Sequence, residues 1–512
     1  MIWSPVIFLV SFLVVTPLSA QTILVAPYVQ PGNGTTLDGA DVKALAWVTD
    51  QKPGDFIVEY STAEGALRRV QPVRVQLDFG LPKPKPSAPA KPGTASAAQA
   101  PTTLDELKEQ TVRASAVTVP EKEQHYFTYT AALDGLPFDS TVRYRVRLGI
   151  RTVREGTFKT RTSGTKPIRF VAVGDLANGK AEQNGIAWQI ARKQPDFMIA
   201  LGDIVYSQGR VSQYLHHFWT TYNDVAKPGP KSGAPLFASM PLYPVVGNHD
   251  VESAKLPDYP DAWAAYYFFH VPENGPGIGA WNLPLGTDAA IAAQFRQTVG
   301  TTYPSLNFYS WDDGPAHFVA IDSSAYVKPD DTKLRAWLEE DLNRSRQAWK
   351  FVCFHTPAFH SSREHYTEQK MRLWEPLFEK AGVDVVFAGH VHNYQRSKPL
   401  HFIPIGGRDA RGRINGDFQL DEKFDGGKNT TPDGVIHIVS GGGGASLYSV
   451  DFSKAVEGLK KEHGVNYVPF TAKYVARHSF SLVDLTTTEL TFRQISLNGE
   501  EIDRFTITKA PR

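Results

Sequence analysis

Two patterns of apolar and polar positions divide this chain. From Leu24 to about Thr162 the residues alternate in short runs, such as VKALAWVTD, FIVEYST, HYFTYTAAL and VRYRVRLG. A period of two gives each run one core side and one water side, and turn residues separate the runs, so an all-β sandwich is expected. After TRTSGTKP the runs become almost wholly apolar: RFVAVGD, DFMIALGD, LYPVVGNHD, HFVAID, KFVCFH, VDVVFAGH and VIHIVSGGGG. Strands of that kind are covered on both faces. Helix-period segments, KAEQNGIAWQIARKQ, DTKLRAWLEEDLNRSR and TEQKMRLWEPLFEKAG, lie between several of them. The alternation predicts a layered α/β fold on a parallel or mixed sheet. The tail from His478 reads as three more strands of the same sheet, one turn being Asn498-Gly499.

Three stretches break these patterns. Leu81 to Thr103 is rich in Pro, Ala and Ser and reads as a disordered loop inserted in the sandwich (residues 81–103). Residues 255–305 are rich in aromatics and glycine, and residues 397–433 are polar with Gly and Asp. Interruptions that long are commonly functional or disordered. The opening MIWSPVIFLVSFLVVTPLSA resembles an export signal cleaved after Ala20, although it lacks an early Lys or Arg. An N-terminal anchor is the alternative, but the run is short and carries Pro5 and Pro17. The expected organisation is a signal over 1–20, a sandwich over 21–163 and an α/β unit over 164–510, in a secreted or periplasmic protein.

Composition narrows the chemistry. The 512 residues carry a formal charge of +1, so no basic surface for nucleic acid is indicated. Once the signal is removed, no apolar run suggests a membrane; the oligomeric state is left open. The single cysteine, Cys353, rules out an internal disulfide or a cysteine-based zinc cluster. Metal-type side chains instead gather at strand ends: Asp175 after FVAVG, Asp203 after FMIALG, Asn248 after YPVVG, His355 after FVCF, and His390 with His392 after VVFAG. Each alone is explained by a cap, a turn or a polar loop. Five in one topological position, four introduced by Gly, point to a site beyond the carboxyl ends of the strands. Oxygen and imidazole donors in that number suit two divalent or trivalent ions sharing one carboxylate.

The set GDLA, GDIVY, GNHD, VCFH and GHVH resembles the signature of metallophosphoesterases, and of purple acid phosphatases in particular. Ordinary metallophosphoesterases have a His two residues after the first Asp, where this chain has Ala177. Purple acid phosphatases lack it and have a Tyr three residues after the second Asp, here Tyr206. The family usually has Gly at the position of Ala177. The stretch LDGLPFDSTVRYRV, with Trp47, resembles a fibronectin type III module. The resemblance implies a four-layer metallophosphoesterase β-sandwich flanked by helices, behind an N-terminal fibronectin III-like sandwich. It implies Fe(III) on Asp175, Asp203, Tyr206 and His392, and a second ion (Zn, Fe or Mn) on Asp203, Asn248, His355 and His390. It also implies His249 as a phosphoryl-oxygen donor, His365 as the acid for the leaving group, and Glu368 beside it.

The expected function is a metal-dependent acid phosphatase in which hydroxide on the ions attacks small phosphomonoesters. A phosphodiester or nucleotide substrate is the alternative, with Trp263, Tyr266, Tyr267, Phe268, Phe269 and Trp281 as an aromatic wall; a hydrophobic flap would explain them equally. A binding protein with a vestigial centre is a third reading, weakened by the complete ligand set. GGGG at 441–444 suits either a phosphate cradle or a tight turn. Arg396 reads as a structural charge partner, while His360 and Arg363 are candidates that no spacing selects.

Overall fold

The computed structural model describes residues 21–81, 123–277, 285, 288–448, 451–464 and 469–511. The expected signal, the insert beyond Leu81 and Trp281 lie outside the described residues. Period-two alternation builds the first eight strands: β1 (Ile23–Gln30), β2 (Asp41–Thr49), β3 (Phe56–Thr62), β4 (Arg68–Val70), β5 (Val73–Phe79), β6 (Gln124–Leu136), β7 (Thr141–Leu148) and β8 (Arg151–Lys159). They form two antiparallel sheets, β1-β2-β6-β5 and β4-β3-β7-β8. In β7, Val142, Tyr144 and Val146 are buried while Thr141, Arg143 and Arg145 face water. Between the sheets, Phe56 of β3 sets its ring edge against Trp47 and Tyr129, which stack on each other 5.4 Å apart. Aromatic pairs of this kind add to the area they bury.

The apolar runs then form β9 (Ile168–Val173), β10 (Phe197–Leu201), β11 (Leu242–Val245), β12 (Phe308–Asp313), β13 (Ala316–Ile321), β14 (Trp349–Phe354), β15 (Val385–Ala388), β16 (Tyr394–Ser397), β17 (Leu400–Pro404), β18 (Gly416–Leu420), β19 (Ile436–Ser440), β20 (Thr471–Val475), β21 (Ser479–Leu485), β22 (Glu489–Ser496) and β23 (Glu501–Thr508). One mixed sheet runs β11-β10-β9-β21-β22-β23 and the other β12-β13-β14-β15-β19-β16-β20. The neighbours β9, β10 and β11 are parallel, as are β13, β14, β15 and β19. Their carboxyl ends therefore emerge together. The sheets pack face to face through Phe170 of β9, whose ring meets Phe318, Phe351 and Phe387 edge-on at 5.2, 5.4 and 6.0 Å. Helices α1 (Ala181–Lys193), α2 (Ala289–Val299), α3 (Thr332–Arg344), α4 (Glu375–Ala381) and α5 (Phe452–His463) complete the α/β unit. Helix α3 shows why its segment is helical: Leu334, Leu338 and Leu342 recur every four residues and are buried, and the Asp331 carboxylate caps the first turn.

Several elements differ from the sequence reading. TEQKMRLWEPLFEKAG becomes an α-helix only at Glu375, after a 3₁₀ turn over Lys370–Trp374, because Pro376 suits a first helical turn. Thr367, Glu368 and Gln369 thus stay outside that helix. Segment 397–433 holds the hairpin β17-β18, and β12, β16 and β20 were not anticipated. The aromatic wall is overturned. Trp263, Tyr266, Phe268 and Phe269 are at most 1% exposed and Tyr267 is buried. They sit in the core and against the N-terminal strands: the Tyr28 hydroxyl donates to the Phe268 carbonyl, and Phe79 meets Tyr267 at 5.3 Å. The hydrophobic-flap reading of this segment holds.

A buried charge cluster fastens the first sandwich to the α/β unit. Asp41 accepts from Lys43 Nζ at 2.6 Å and from the backbone N–H and Nε of Arg161, both at 2.8 Å. Arg161 also donates to the Asp312 carbonyl, and Asp313 accepts the Thr162 N–H at 2.8 Å. Burial raises the Asp313 pKa from 3.8 to about 7, although Thr162, Lys43 and Arg161 all pull it down. A raised folded-state pKa adds stability below pH 3.8, and that contribution is lost as pH climbs through about 7. Asp313→Asn keeps an acceptor for Thr162 and never ionises. Thermal melts should therefore show the variant losing less stability than the parent between pH 4 and pH 8.

Candidate metal centre

All seven candidate ligands converge where the carboxyl ends of the two sheets meet. Asp175 follows β9, Asp203 follows β10 and Asn248 stands three residues beyond β11, while His355 follows β14 and His390 and His392 follow β15. Asp175, Asp203 and His390 adopt left-handed backbone with φ of 61°, 49° and 66°, which turns the chain sharply at each strand end. The glycine before each is needed for space. A Cβ at Gly202 would lie 2.4 Å from His355 Nδ1, and one at Gly389 would lie 2.6 Å from the Leu201 carbonyl. Gly247, ahead of Asn248, would collide with the Asp203 amide in the same way.

The donor atoms fall into two quartets. In the first, Tyr206 Oη lies 2.8 Å from Asp175 Oδ1, 3.1 Å from Asp203 Oδ2 and 3.1 Å from His392 Nε2. In the second, His355 Nε2 lies 3.3 Å from Asp203 Oδ1, 3.1 Å from Asn248 Oδ1 and 3.1 Å from His390 Nδ1. Asp203 gives one oxygen to each. A backbone carbonyl can only accept, so His355 Nδ1 donates to Leu201 O and His392 Nδ1 donates to Ser446 O, both at 2.7 Å. His390 Nε2 faces Glu368 Oε2 at 3.0 Å and donates there. The remaining nitrogen of each ring faces the centre, the arrangement that outer partners give to metal-bound imidazoles.

This is a set of acceptors in search of cations. Asp175 and Asp203 are at most 1% exposed, and among the described residues no Lys or Arg pairs with either. Buried carboxylates need a compensating charge. Burial raises the Asp203 pKa, but the charges of His355 and His249 outweigh that and hold it well below the usual carboxylate range. Burial lowers that of His355, but Asp203 overrides it and lifts the imidazole to about 10. Tyr206 is held well above its ordinary value by burial and by Asp175 and Asp203. The donor chemistry therefore fits two metal ions sharing Asp203.

The substrate-facing candidates also reach the site. His249 donates its backbone N–H to Asp203 Oδ1 at 2.8 Å and Nδ1 to the Ser207 carbonyl at 2.7 Å, leaving Nε2 4.0 Å from Asp203 Oδ2. Glu368 spans two rings, with Oε1 2.7 Å from His365 Nδ1 and Oε2 on His390. His365 Nε2 is thereby turned towards the Tyr448 hydroxyl, 3.3 Å away. The side groups separate cleanly. Arg396 pairs with Asp503, Arg363 pairs with Glu364 and Glu462, and His360 is buried, its pKa lowered to about 3 first by burial. The four glycines are a close-packed turn: a Cβ at Gly441 would meet Asp175 Oδ2 at 2.8 Å, and the Gly441 and Gly443 amides are spent on Asn393 O and Gly174 O.

Two contributors escaped the sequence reading. Tyr448 stacks on His392 at 4.1 Å, and no spacing announces it. Asp250, the last residue of GNHD, accepts the Gly247 and Ile204 amides and so braces two ligand loops, a role only the fold reveals. Burial, and then the Asp203 charge, raise its pKa to about 8.

Residues 168–394 match the calcineurin-like phosphoesterase family, and the chain carries a metallophosphoesterase domain. Its homologues include purple acid phosphatases. Purple acid phosphatase 18 of Arabidopsis thaliana is 26% identical over 241 residues, 46% of each chain. A nucleotide pyrophosphatase/phosphodiesterase of Hordeum vulgare is 25% identical over 366 residues, 66% of this chain and 82% of that protein. The chain spans about half the length of the first curated relatives it matches. The fold matches that of purple acid phosphatase PPD1 from yellow lupin seeds, with a TM-score of 0.61 over 94% of this chain and 74% of that one, at 17% identity.

Gly202→Ala tests the packing behind the second quartet. Its Cβ would displace the His355 ring at a backbone φ of 83°. Metal affinity, read by competition with a coloured chelator, should fall about 10–100-fold, the scale seen when the support of a ligand is lost.

Proposed function

We propose that the protein is an exported, binuclear metal-dependent acid phosphatase acting on small phosphomonoesters. The observation that carries this reading is the pair of acceptor quartets sharing Asp203, buried without a Lys or Arg counter-charge. In this reading Asp175, Asp203, Tyr206 and His392 hold Fe(III), a hard phenolate donor suiting a trivalent ion. Asp203, Asn248, His355 and His390 hold Zn, Fe or Mn. Such ions supply Lewis acidity towards both the phosphate ester and its attacking water. Residues 21–163 form a fibronectin III-like unit ahead of the catalytic unit, 164–510. Among the described residues, no helix is long and apolar enough to cross a membrane.

The chain's own groups supply the rest of the chemistry. His249 has its Nδ1–H committed to Ser207 O, so its Nε2 faces the reacting phosphoryl group and, when protonated, donates to a phosphoryl oxygen. Glu368 holds the His365 Nδ1–H, so His365 delivers its proton from Nε2 to the departing alkoxide. The same carboxylate fixes the His390 tautomer, which couples the acid to the second quartet. A phosphodiester or nucleotide substrate remains the rival, supported by the name of the barley relative. The burial of the aromatic segment removes its structural support.

Two experiments test this reading. The purified protein should hold about two metal ions per chain and absorb visible light through a tyrosinate–Fe(III) charge transfer. Tyr206→Phe should lose the band and keep the fold. A colourless, fully active parent containing only divalent metal would sink the iron assignment. His365→Ala should slow hydrolysis of alkyl phosphates by about 10²–10⁴-fold, and of activated aryl phosphates far less. Equal losses on both classes would make His365 a binding residue.

A further inference from the structure

The hairpin β17-β18 ends in IGGRDARGRIN, residues 405–415, which carries three arginines in six positions. This tip is stitched to the segment that holds His365 and Glu368. The Ile414 N–H donates to Gln369 Oε1 at 3.0 Å, and Arg372 Nη1 donates to the Ile414 carbonyl at 3.1 Å. Gly412, at a φ of 85°, passes so close that a Cβ there would lie 2.6 Å from the Thr367 carbonyl. The same Cβ would lie 3.2 Å from Arg408 Nη2. The Arg408 guanidinium and the Thr367 carbonyl thus flank the same Gly412 position, which puts Arg408 close to the segment that holds His365 and Glu368.

The neighbouring cations are already committed. Arg413 pairs with Asp409 at 2.8 Å, and both it and Arg411 reach the His463 carbonyl at the C-terminus of α5. Arg363 is shared between Glu364 and Glu462, and Lys370 donates to the Ser324 and Val327 carbonyls. Arg408 is exposed, and among the described residues it has no hydrogen-bond or ion-pair partner. Its charge is felt below: burial lowers the Lys370 pKa to about 8, and Arg408 adds to that lowering. A guanidinium on a pinned loop, with its fork unspent, is suited to an anion of phosphate geometry.

We propose that Arg408 forms a rim subsite for a second phosphate, so that small bisphosphorylated molecules are preferred substrates. The inference rests on the phosphatase reading above, in which the first phosphate occupies the metal centre.

A matched pair of substrates tests it: 1,6-hexanediol bisphosphate and hexyl phosphate differ only in the second phosphate. For the metal-loaded parent, the ratio of their kcat/KM values should exceed the statistical factor of about two by about five- to tenfold, as KM and increasingly at low salt. Arg408→Ala should bring the ratio back to the statistical value, and Arg408→Lys should retain part of the preference. An unchanged ratio in Arg408→Ala, or no preference in the parent, overturns the subsite. Calorimetric binding of hexane-1,6-bisphosphonate against hexylphosphonate reads the same contact without turnover. If neither ester is hydrolysed but the bisphosphonate advantage disappears in Arg408→Ala, the phosphatase reading fails and the subsite stands. Equal affinities for the two phosphonates in the parent overturn the subsite itself.

Discussion

The structure depends on one constraint: two carboxylates, Asp175 and Asp203, are withdrawn from water at the meeting of two sheets, and among the described residues no Lys or Arg answers them. Burying such groups uncompensated is among the costliest things a fold can do. Two other buried acids have a Lys or Arg partner. Asp41 has Lys43 and Arg161, and Asp341 has His317 and Arg344. At the centre the neighbours are instead tyrosine, asparagine and imidazoles, all of which can turn an acceptor inward. That donor set suits a cation.

Much of the surrounding structure serves to keep those acceptors in place. Glycines before Asp175, Asp203, Asn248 and His390 let strand ends approach one another to distances a side chain would forbid. Carbonyls of Leu201 and Ser446 and the carboxylate of Glu368 take the outer N–H of each ligating ring. Asp250 grips the backbone of two ligand loops. Beneath, Phe170 crosses from one sheet into the aromatic face of the other and helps to hold the two together. Glu368 carries a double duty. Because one carboxylate meets both His365 and His390, the positions of those two rings are not independent in this site.

The sequence by itself determined the strand ends and their chemistry. A strand buried on both faces must be a run of apolar residues, and a ligand just past it stands out as the first polar residue after a glycine. GDLA, GDIVY, GNHD and GHVH were legible for that reason, VCFH from its strand end alone, and Tyr206 only through the family resemblance. What only the tertiary structure decided lies in contacts between segments far apart in the chain. Whether the aromatic run at 263–269 faced a substrate or a neighbouring sheet could not follow from its composition, because either surface would favour the same residues. The hairpin that carries Arg408 beside Thr367, and Tyr448 stacked on His392, are placed by long-range packing that leaves no periodicity behind. Local pattern encodes which residues are buried; the identity of the partner is encoded only in the complementarity of surfaces that folding brings together.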